Sequence, residues 1–315
     1  DHAEDGFFRG GGLFVHGAPR AGSFGGFYRG NGQNEERRAA PHDVVRAAYF
    51  ALPLDSGEHD EPGAGMANFV RFERNDGSTG AGILEDGSIH AVAEPIWDGP
   101  EPTGETVALD AVRLLPPCEP RSIVCVGLNY SSHLQGRPVP DPPTLFFKPL
   151  SSVAGPGDAI VFPDGCGRVD PEGEIVIVIG RTLKNATRAE AEAGIFGYTA
   201  GNDVSAREWQ QKDGQWWRAK GSDTFGIFGP SIVTGVPHDT LEVVTHVNGA
   251  EVQRGRSTEL IRDIPEIVRY VSAVMTLVPG DVIYTGTPGS PPAITSGDVV
   301  EVEVTGVGVL RNQVA

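Results

Sequence analysis

Two glutamates, Glu172 and Glu174, stand one residue apart where the stretch RVDPEGEIVIVIG (168–180) turns apolar. The five β-branched residues at 175–179 predict a buried strand that ends at Gly180. Because side chains two apart on a strand share a face, both carboxylates should lie side by side at the edge of a low-dielectric core. Two such charges repel each other and raise one pKa unless a positive group compensates them. We expect an arginine, a proton or a metal ion between them.

A third carboxylate, Asp203 in GNDVSARE, comes 29 residues after Glu174. The preceding GYTAGND pattern predicts a strand that ends in a loop and is followed by a helix. Three carboxylates at strand ends form an all-oxygen ligand set, which favours Mg²⁺, Mn²⁺ or Ca²⁺ over Zn²⁺. Such an ion would act as a Lewis acid on a chelating 2-oxo acid and stabilise its enolate. A solvated glutamate pair is the alternative, and the apolar run after it argues against that alternative.

The composition restricts the class of protein. A net charge of −17 argues against binding to nucleic acid, because no basic stripe exists to neutralise phosphates. Only four of the 25 basic residues are lysines, which fits a high-salt cytoplasm, with an acidic protein from a GC-rich genome as the alternative. The three cysteines lack metal-binding spacing and predict reduced thiols in the cytoplasm. No apolar run reaches the about 18 residues of a membrane span, and no secretory signal pattern is visible.

The chain divides into three parts by composition. Residues 1–65 are expected to be a glycine-rich extension that is disordered or not native, with Met66 as the natural start or the start of the folded unit. Strand and Asp-Gly turn patterns at 66–118 predict a small N-terminal β subdomain. The remaining residues, 119–315, contain all three carboxylates and are the candidate catalytic domain.

The pattern in the third part predicts a mainly β fold rather than the βαβ alternation of a doubly wound sheet. A strand is predicted at 158–163, and a hairpin over Asn248-Gly249. Helices are predicted at 187–193, with the capping box of Thr187 and Glu190, and at 264–275.

Eight stretches, taken together and in this order, resemble the fumarylacetoacetate hydrolase family in its smaller branch, over about residues 66–315. They are VGLNYSSH, LFFKP, GPGDAIVFP, RVDPEGEIVIVIG, GYTAGNDVSAREWQ, WWRAKGSDTFGIFGP, LVPGDVIYTGTP and GDVVEVEVTGVGVLRN. The resemblance implies an α+β variant of the mainly β class, with mixed sheets rolled into a flattened barrel or sandwich and a few peripheral helices. It also implies a homodimer.

The resemblance assigns roles to residues of this chain. It implies that Glu172, Glu174 and Asp203 bind the divalent metal, Mg²⁺ or Mn²⁺, with Ca²⁺ as a further candidate. Lys220, in WWRAK, matches a catalytic lysine that lies near the metal and stabilises an enolate oxygen or holds a carboxylate.

Three further residues match substrate-facing positions. Arg207 and Gln210 follow Asp203 at helical spacing, so on a helix all three would share one face, and an arginine fork suits a carboxylate. Pairing of Arg207 with local acids is the alternative. Thr287, in TGTP, matches a substrate-contacting threonine, and a plain turn residue before Pro288 is the alternative.

His133 departs from the family pattern. It matches the lid histidine of the GLNYxxH loop, which works with a glutamate three residues later, but position 136 is Gly and the next acid is Asp141. The loop is also about two residues shorter than the common form. A histidine without its orienting acid is a weaker base. Either another residue assists His133, or the protein does not activate water in the usual way.

The sequence therefore predicts a divalent-metal-dependent enzyme acting on a small 2-oxo or 1,3-dicarbonyl acid through a metal-bound enolate. The reaction is C–C bond hydrolysis of an acylpyruvate or isomerisation of a 2-hydroxy-dienedioate in aromatic catabolism. Decarboxylation, tautomerisation and hydration are alternatives on the same site, and the loss of the lid acid affects these less than hydrolysis. A non-catalytic protein with a structural metal site is the alternative of another class. The expected partners are a small-molecule substrate and a second copy of the chain, with no nucleic acid and no membrane.

Overall fold

The computed structural model describes residues 65–315, so the expectations for the glycine-rich extension lie outside the described residues, Gly65 excepted. The strands are β1 Asn68–Glu73, β2 Thr79–Glu85, β3 Ser88–Val92, β4 Pro102–Ala108, β5 Arg113–Leu115, β6 Ile123–Gly127, β7 Thr144–Lys148, β8 Val153–Ala154, β9 Val169–Asp170, β10 Gly173–Ile179, β11 Ile195–Asp203, β12 Ser205–Ala206, β13 Gly226–Val233, β14 Glu242–Val247, β15 Ala250–Arg256, β16 Val282–Tyr284, β17 Val299–Val304 and β18 Gly308–Gln313. The helices are α1 Ser131–Leu134, α2 Arg188–Ala193, α3 Arg207–Lys212, α4 Trp217–Gly221 and α5 Ile264–Val274.

Most of the strands join one large sheet. Ten of them follow the order β4-β3-β2-β1-β13-β11-β10-β16-β6-β7, with β5 on β1 and β8 on β13. The pairs β16–β6 and β13–β8 are parallel and the others antiparallel, so the sheet is mixed. A second sheet has the order β15-β14-β17-β18, and β9 pairs with β12 alone. The prediction of a mainly β fold with mixed sheets and few helices is confirmed.

Strand β10 is buried on both faces. Its three isoleucines lie in the hydrophobic cluster that also holds Val243 and Val302 of the second sheet. Its two valines lie in a different cluster on the opposite face. A strand that is buried on both faces has a continuous apolar sequence rather than an alternating one, which explains the apolar run at 175–179.

Several local predictions are confirmed. Helix α2 has the capping box, in which Thr187 accepts from the Glu190 amide and Glu190 binds the Thr187 amide. Strands β14 and β15 form the predicted hairpin, and its two loop residues, Asn248 and Gly249, both have positive φ, as a type I′ turn requires. Helix α5 occupies the predicted position. All three cysteines are buried, unpaired thiols.

The predicted strand at 158–163 is wrong. Only Ile160 pairs there, in an isolated bridge with Val314. The Asp158 carboxylate turns back to accept from the amide of Gly155. At the other end, Pro163 has no N–H with which to continue a ladder. The alternating pattern at 158–163 is therefore insufficient to form a strand.

The N-terminal strands β1–β5 extend the large sheet, because β1 pairs with β13 through Asn68 opposite Val233. The division into a subdomain at 66–118 and a catalytic domain at 119–315 stays a prediction. No helix within residues 65–315 combines the length and the apolar character needed to cross a bilayer.

Candidate metal centre and active site

Sheet topology brings the chemically active segments to one edge. Strands β6 and β16 are parallel, with Cys125 opposite Tyr284, so the loops that follow them leave the sheet side by side. Strand β10 runs antiparallel to β11, and its first residue, Gly173, lies opposite Asn202. The start of β10 therefore meets the ends of β6, β11 and β16.

The three predicted metal ligands come together at this edge. Each of Glu172, Glu174 and Asp203 offers a carboxylate oxygen, these oxygens lie within 4.8 Å of one another, and all three residues are buried. The Asp203 amide donates to the Glu172 carbonyl at 2.8 Å, which fixes the two backbone segments relative to each other. The Gly286 amide donates to Glu174 Oε2 at 2.6 Å. We call these three residues the carboxylate triad.

The carboxylates of the triad differ in their pKa. Burial, reinforced by the charges of Asp203 and Glu172, raises the pKa of Glu174 well above its usual range. Burial would also raise the pKa of Glu172, but the charges of Lys220 and Arg207 outweigh it and lower that pKa. The positive groups beside the pair are a lysine and an arginine.

Two buried lysines contact Asp203 from different sides. Lys220 donates to Glu172 Oε2 at 2.5 Å and to Asp203 Oδ2 at 2.6 Å. Burial alone would lower the pKa of Lys220, but the two carboxylates raise it above its usual range. Lys148, which sequence reasoning missed, lies 2.5 Å from Asp203 Oδ1 and donates to the carbonyls of Lys220 and Phe225. The scarcity of lysine and the LFFKP stretch were the signals that could have revealed it.

The triad suits a hard divalent cation. Oxygens that bind one ion at about 2.0–2.6 Å lie at most about 5 Å apart, and the triad meets that spacing. Asp203 Oδ1 is buried and has no hydrogen bond among residues 65–315, since its contact with Lys148 lacks hydrogen-bond geometry. Three buried carboxylates gathered into an all-oxygen donor set are what such an ion requires.

Arg207 is ion-paired rather than free. Its Nε donates to Asp170 at 2.7 Å, its Nη2 to Glu172 Oε1 at 2.6 Å and its Nη1 to Gln210 Oε1 at 2.9 Å. The structure thus shows the pairing with local acids that the sequence left open, and Asp170 was missed. The prediction that Asp203 shares a helix face with Arg207 and Gln210 is wrong, because Asp203 ends β11 and helix α3 starts only at Arg207.

A small cleft opens above the triad. It holds about 300 Å³, counting open solvent at its mouth. Its walls are Val126, Gly127, Leu128, His133, Phe146, Glu172, Glu174, Asp203, Gln210, Trp216, Lys220 and Thr287. Every predicted site residue except Arg207 lines this cleft. Leu128 has a φ of 60°, a conformation that costs free energy in a residue with a Cβ and that clusters at functional sites.

Thr287 lies in the cleft wall with its hydroxyl already engaged. Its Oγ1 donates to the Gly173 carbonyl at 2.9 Å and accepts from Gln253 Nε2 at 2.8 Å. These contacts fasten the TGTP turn to the start of β10. Gln253 carried no recognisable sequence signal, and substrate contact by Thr287 stays a prediction.

His133 has a backbone partner in place of the expected acid. Its Nδ1 lies 2.5 Å from the carbonyl oxygen of Gly289, and its Nε2 lies 3.9 Å from Glu172 Oε1. A carbonyl oxygen can only accept, so Nδ1 carries the proton and Nε2 faces the triad. Within the described residues, Glu172 is the one carboxylate in ion-pair range of His133.

Two family models match the chain. The model described as "Fumarylacetoacetate (FAA) hydrolase C-terminal" matches residues 122–315, and that described as "Rv2993c-like, N-terminal" matches residues 68–117. The protein belongs to the fumarylacetoacetate hydrolase family.

Relatives cover nearly all of the described chain. "Protein Rv2993c" of Mycobacterium tuberculosis is 45% identical over 251 residues, which are 78% of this chain and 94% of that protein. "Oxaloacetate tautomerase FAHD2A, mitochondrial" of Homo sapiens is 39% identical over 294 residues, which are 87% and 93% of the two chains. The crystal structure of 2-hydroxyhepta-2,4-diene-1,7-dioate isomerase from Mycobacterium marinum has a TM-score of 0.74 and 42% identity, and the match covers 79% of this chain and 98% of that one.

Proposed function

We propose that this protein is a metal-dependent enzyme that moves a proton on a small 2-oxo dicarboxylic acid, in keto–enol tautomerisation or the related double-bond isomerisation. The observation that carries the proposal is the orientation of His133 by the Gly289 carbonyl instead of a carboxylate. A carboxylate would stabilise the imidazolium that forms when histidine activates water, and a carbonyl does so less. Moving a proton within the substrate makes a smaller demand on the base.

The residues of the cleft divide this work. The triad would hold the cation, Mg²⁺ in the first instance, which supplies Lewis acidity toward a substrate oxygen when bound. Lys220 places a buried positive charge beside the oxygen on which negative charge develops. His133 Nε2 takes a proton from the carbon next to the oxo group and returns one to the oxygen, so the product is an isomer.

The relatives support this choice without establishing it. The human relative is described as an oxaloacetate tautomerase, and the mycobacterial structure as a dienedioate isomerase. Both reactions shift a proton without adding water. We extend the proposal to aromatic catabolism for the dienedioate case and to a homodimer, which light scattering tests.

Hydrolysis of an acylpyruvate is the second candidate. The 3.9 Å approach of Glu172 to His133 Nε2 favours it, because that carboxylate could support a water-activating imidazole. Glu172 already forms ion pairs with Lys220 and Arg207, however, so its negative charge is largely neutralised by these two groups.

The test compares reactions under one set of conditions. Protein in high KCl with Mg²⁺ is given enol-oxaloacetate, 2-hydroxyhepta-2,4-diene-1,7-dioate or acetylpyruvate, with absorbance and product analysis as readouts and EDTA as the metal control. We expect EDTA-sensitive tautomerisation or isomerisation, slowed about 100-fold or more by His133→Asn and unchanged by the control His90→Asn, at an exposed position of strand β3. Release of pyruvate from acetylpyruvate at a comparable rate would replace this proposal with hydrolysis. If no substrate reacted while Mn²⁺ still bound tightly, a structural metal site would be indicated.

A further inference from the structure

Asp170 is a buried carboxylate that lies beside the triad but outside it. It is 4% exposed and ends the short strand β9. It accepts from Arg168 Nε at 2.6 Å, Arg168 Nη2 at 3.2 Å and Arg207 Nε at 2.7 Å. A buried charge is retained only where it is paired, so these arginines are necessary to Asp170. Arg207 in turn depends on Asp170, and Arg207 contacts two residues that line the cleft.

Backbone pairing fixes Asp170 next to Arg207. Strand β9 pairs with β12, which sets Asp170 opposite Ser205. The Arg207 amide donates to the Arg168 carbonyl at 2.8 Å. The contact between the two side chains is therefore imposed by the fold and does not need a bound cation.

The Arg207 guanidinium then orients two cleft residues. It is planar, so holding Nε on Asp170 sets the directions of both terminal nitrogens. One of these binds Glu172 Oε1 and the other Gln210 Oε1. Because arginine has no acceptor, the Gln210 amide must turn its oxygen to Arg207 and its N–H groups elsewhere. Gln210 lines the cleft, so those donors are available to a substrate oxygen.

We propose that Asp170 is a positioning residue, which holds Arg207 so that Arg207 fixes Glu172 and presents the Gln210 amide to the cleft as a donor. The proposal rests on the proposed function for the identity of the substrate, a dicarboxylate with an oxygen that would accept a hydrogen bond from the Gln210 amide. Asp170 itself touches no substrate.

A double-mutant cycle tests the proposal. The variants are Asp170→Asn, Gln210→Ala and the double variant, with Arg168→Gln as the matched control, because Arg168 also binds Asp170 but its side chain is 55% exposed. We expect Asp170→Asn to raise the KM for oxaloacetate about tenfold, with less than about threefold of this effect in the Gln210→Ala background. Arg168→Gln should change KM by less than about threefold. Equal effects of Asp170→Asn in both backgrounds would overturn the proposal.

The direction of the change in anion affinity distinguishes a loss of positioning from a loss of negative charge. Removing a negative charge beside an anion site would by itself tighten anion binding, whereas loss of the Gln210 donor weakens it. The wild-type protein and the same four variants, loaded with Mg²⁺, are therefore titrated with oxalate by calorimetry. Weaker oxalate binding by Asp170→Asn supports the proposal even if the wild-type protein turns over no substrate, in which case the proposed function alone fails. Tighter or unchanged binding overturns the proposal whatever the activity, and absence of oxalate binding by the wild type would contradict both.

Discussion

The floor of the cleft and its lid are built in opposite ways. The floor consists of the triad with Lys148 and Lys220, all at most 3% exposed and joined by charge-assisted contacts. The lid, residues 131–137, is largely exposed and rests on the turn at 287–290 through neutral contacts. These are His133 Nδ1 to the Gly289 carbonyl, the Gly289 amide to Ser132 Oγ at 3.1 Å, and Gln135 Nε2 to Ser290 Oγ at 2.5 Å.

The floor and the lid differ in how easily their residues can be replaced. Glu172, Asp203 and the two lysines of the floor cannot change one at a time, because each of these buried charges depends on the others. The lid contacts are exposed and partly made by backbone, so side chains there can be exchanged at low cost. We infer that the floor sets the cation and the enolate chemistry, and that the lid sets which proton moves.

The largest expected effect lies within the floor and distinguishes its two glutamates. Both Glu174→Gln and Glu172→Gln should weaken Mn²⁺ binding at least about 100-fold, since each removes a charged ligand. Glu172→Gln should also destabilise the metal-free protein by about 3–5 kcal/mol, because Lys220 and Arg207 lose their partner. Near pH 4.5, Glu174→Gln should change that stability by less than about 1 kcal/mol, since the raised pKa of Glu174 keeps it neutral in the folded protein. Calorimetry with Mn²⁺ and urea unfolding measure both, and equal destabilisation would contradict this assignment.

The pH dependence of stability follows from the same glutamate. In the metal-free protein Glu174 keeps its proton above the ordinary pKa of 4.5, at which the unfolded chain releases its own. The folded state then binds more protons, so this contribution to the free energy of unfolding is complete below pH 4.5 and is lost as pH rises. Glu174→Gln should remove this loss, and urea unfolding between pH 4.5 and 8 with EDTA measures it. A stability difference between variant and wild type that does not grow with pH would refute the account.

The third effect, on stability alone, is expected from Lys148, the second buried lysine of the floor. Lys148→Met should destabilise the metal-free protein by about 3–5 kcal/mol, because Asp203 loses a buried partner. Added Mg²⁺ should raise the melting temperature of this variant more than that of the wild type, since the ion supplies the missing positive charge. The exposed Lys184→Met is the control, for which less than about 1 kcal/mol is expected. An identical response to Mg²⁺ in variant and wild type would show that Lys148 and the ion do not share Asp203.

The smallest effects belong to the lid. Ser132→Ala and Gln135→Ala each remove one exposed hydrogen bond, so kcat should fall about fivefold while Mn²⁺ affinity and melting temperature stay unchanged. Ser131→Ala, an exposed neighbour on the same helix, is the matched control. A loss of Mn²⁺ affinity in the lid variants would erase the distinction between lid and floor.

The sequence predicted local features and charge patterns better than partnerships. The capping box of α2, the Asn248-Gly249 turn and the buried β10 strand depend on adjacent residues, and each is confirmed. Lys148 and Asp203 are 55 positions apart, and the local sequence around either residue does not indicate that the two form an ion pair. Asp170 was overlooked for a related reason, because its significance comes from the β9–β12 pairing and not from its own surroundings in the chain.

The parallel pairing of β6 with β16 bears on how far the connection from the lid to β7 can vary in length. Because both strands end at the same edge, the anchor for His133 is supplied by a turn whose position the sheet already fixes. The connection from the lid to β7 can then gain or lose residues without displacing the histidine. In this chain that anchor holds His133 Nε2 at 3.9 Å from Glu172 Oε1 of the triad. Length changes there offer a way to change the reaction of this scaffold while the carboxylate triad stays intact.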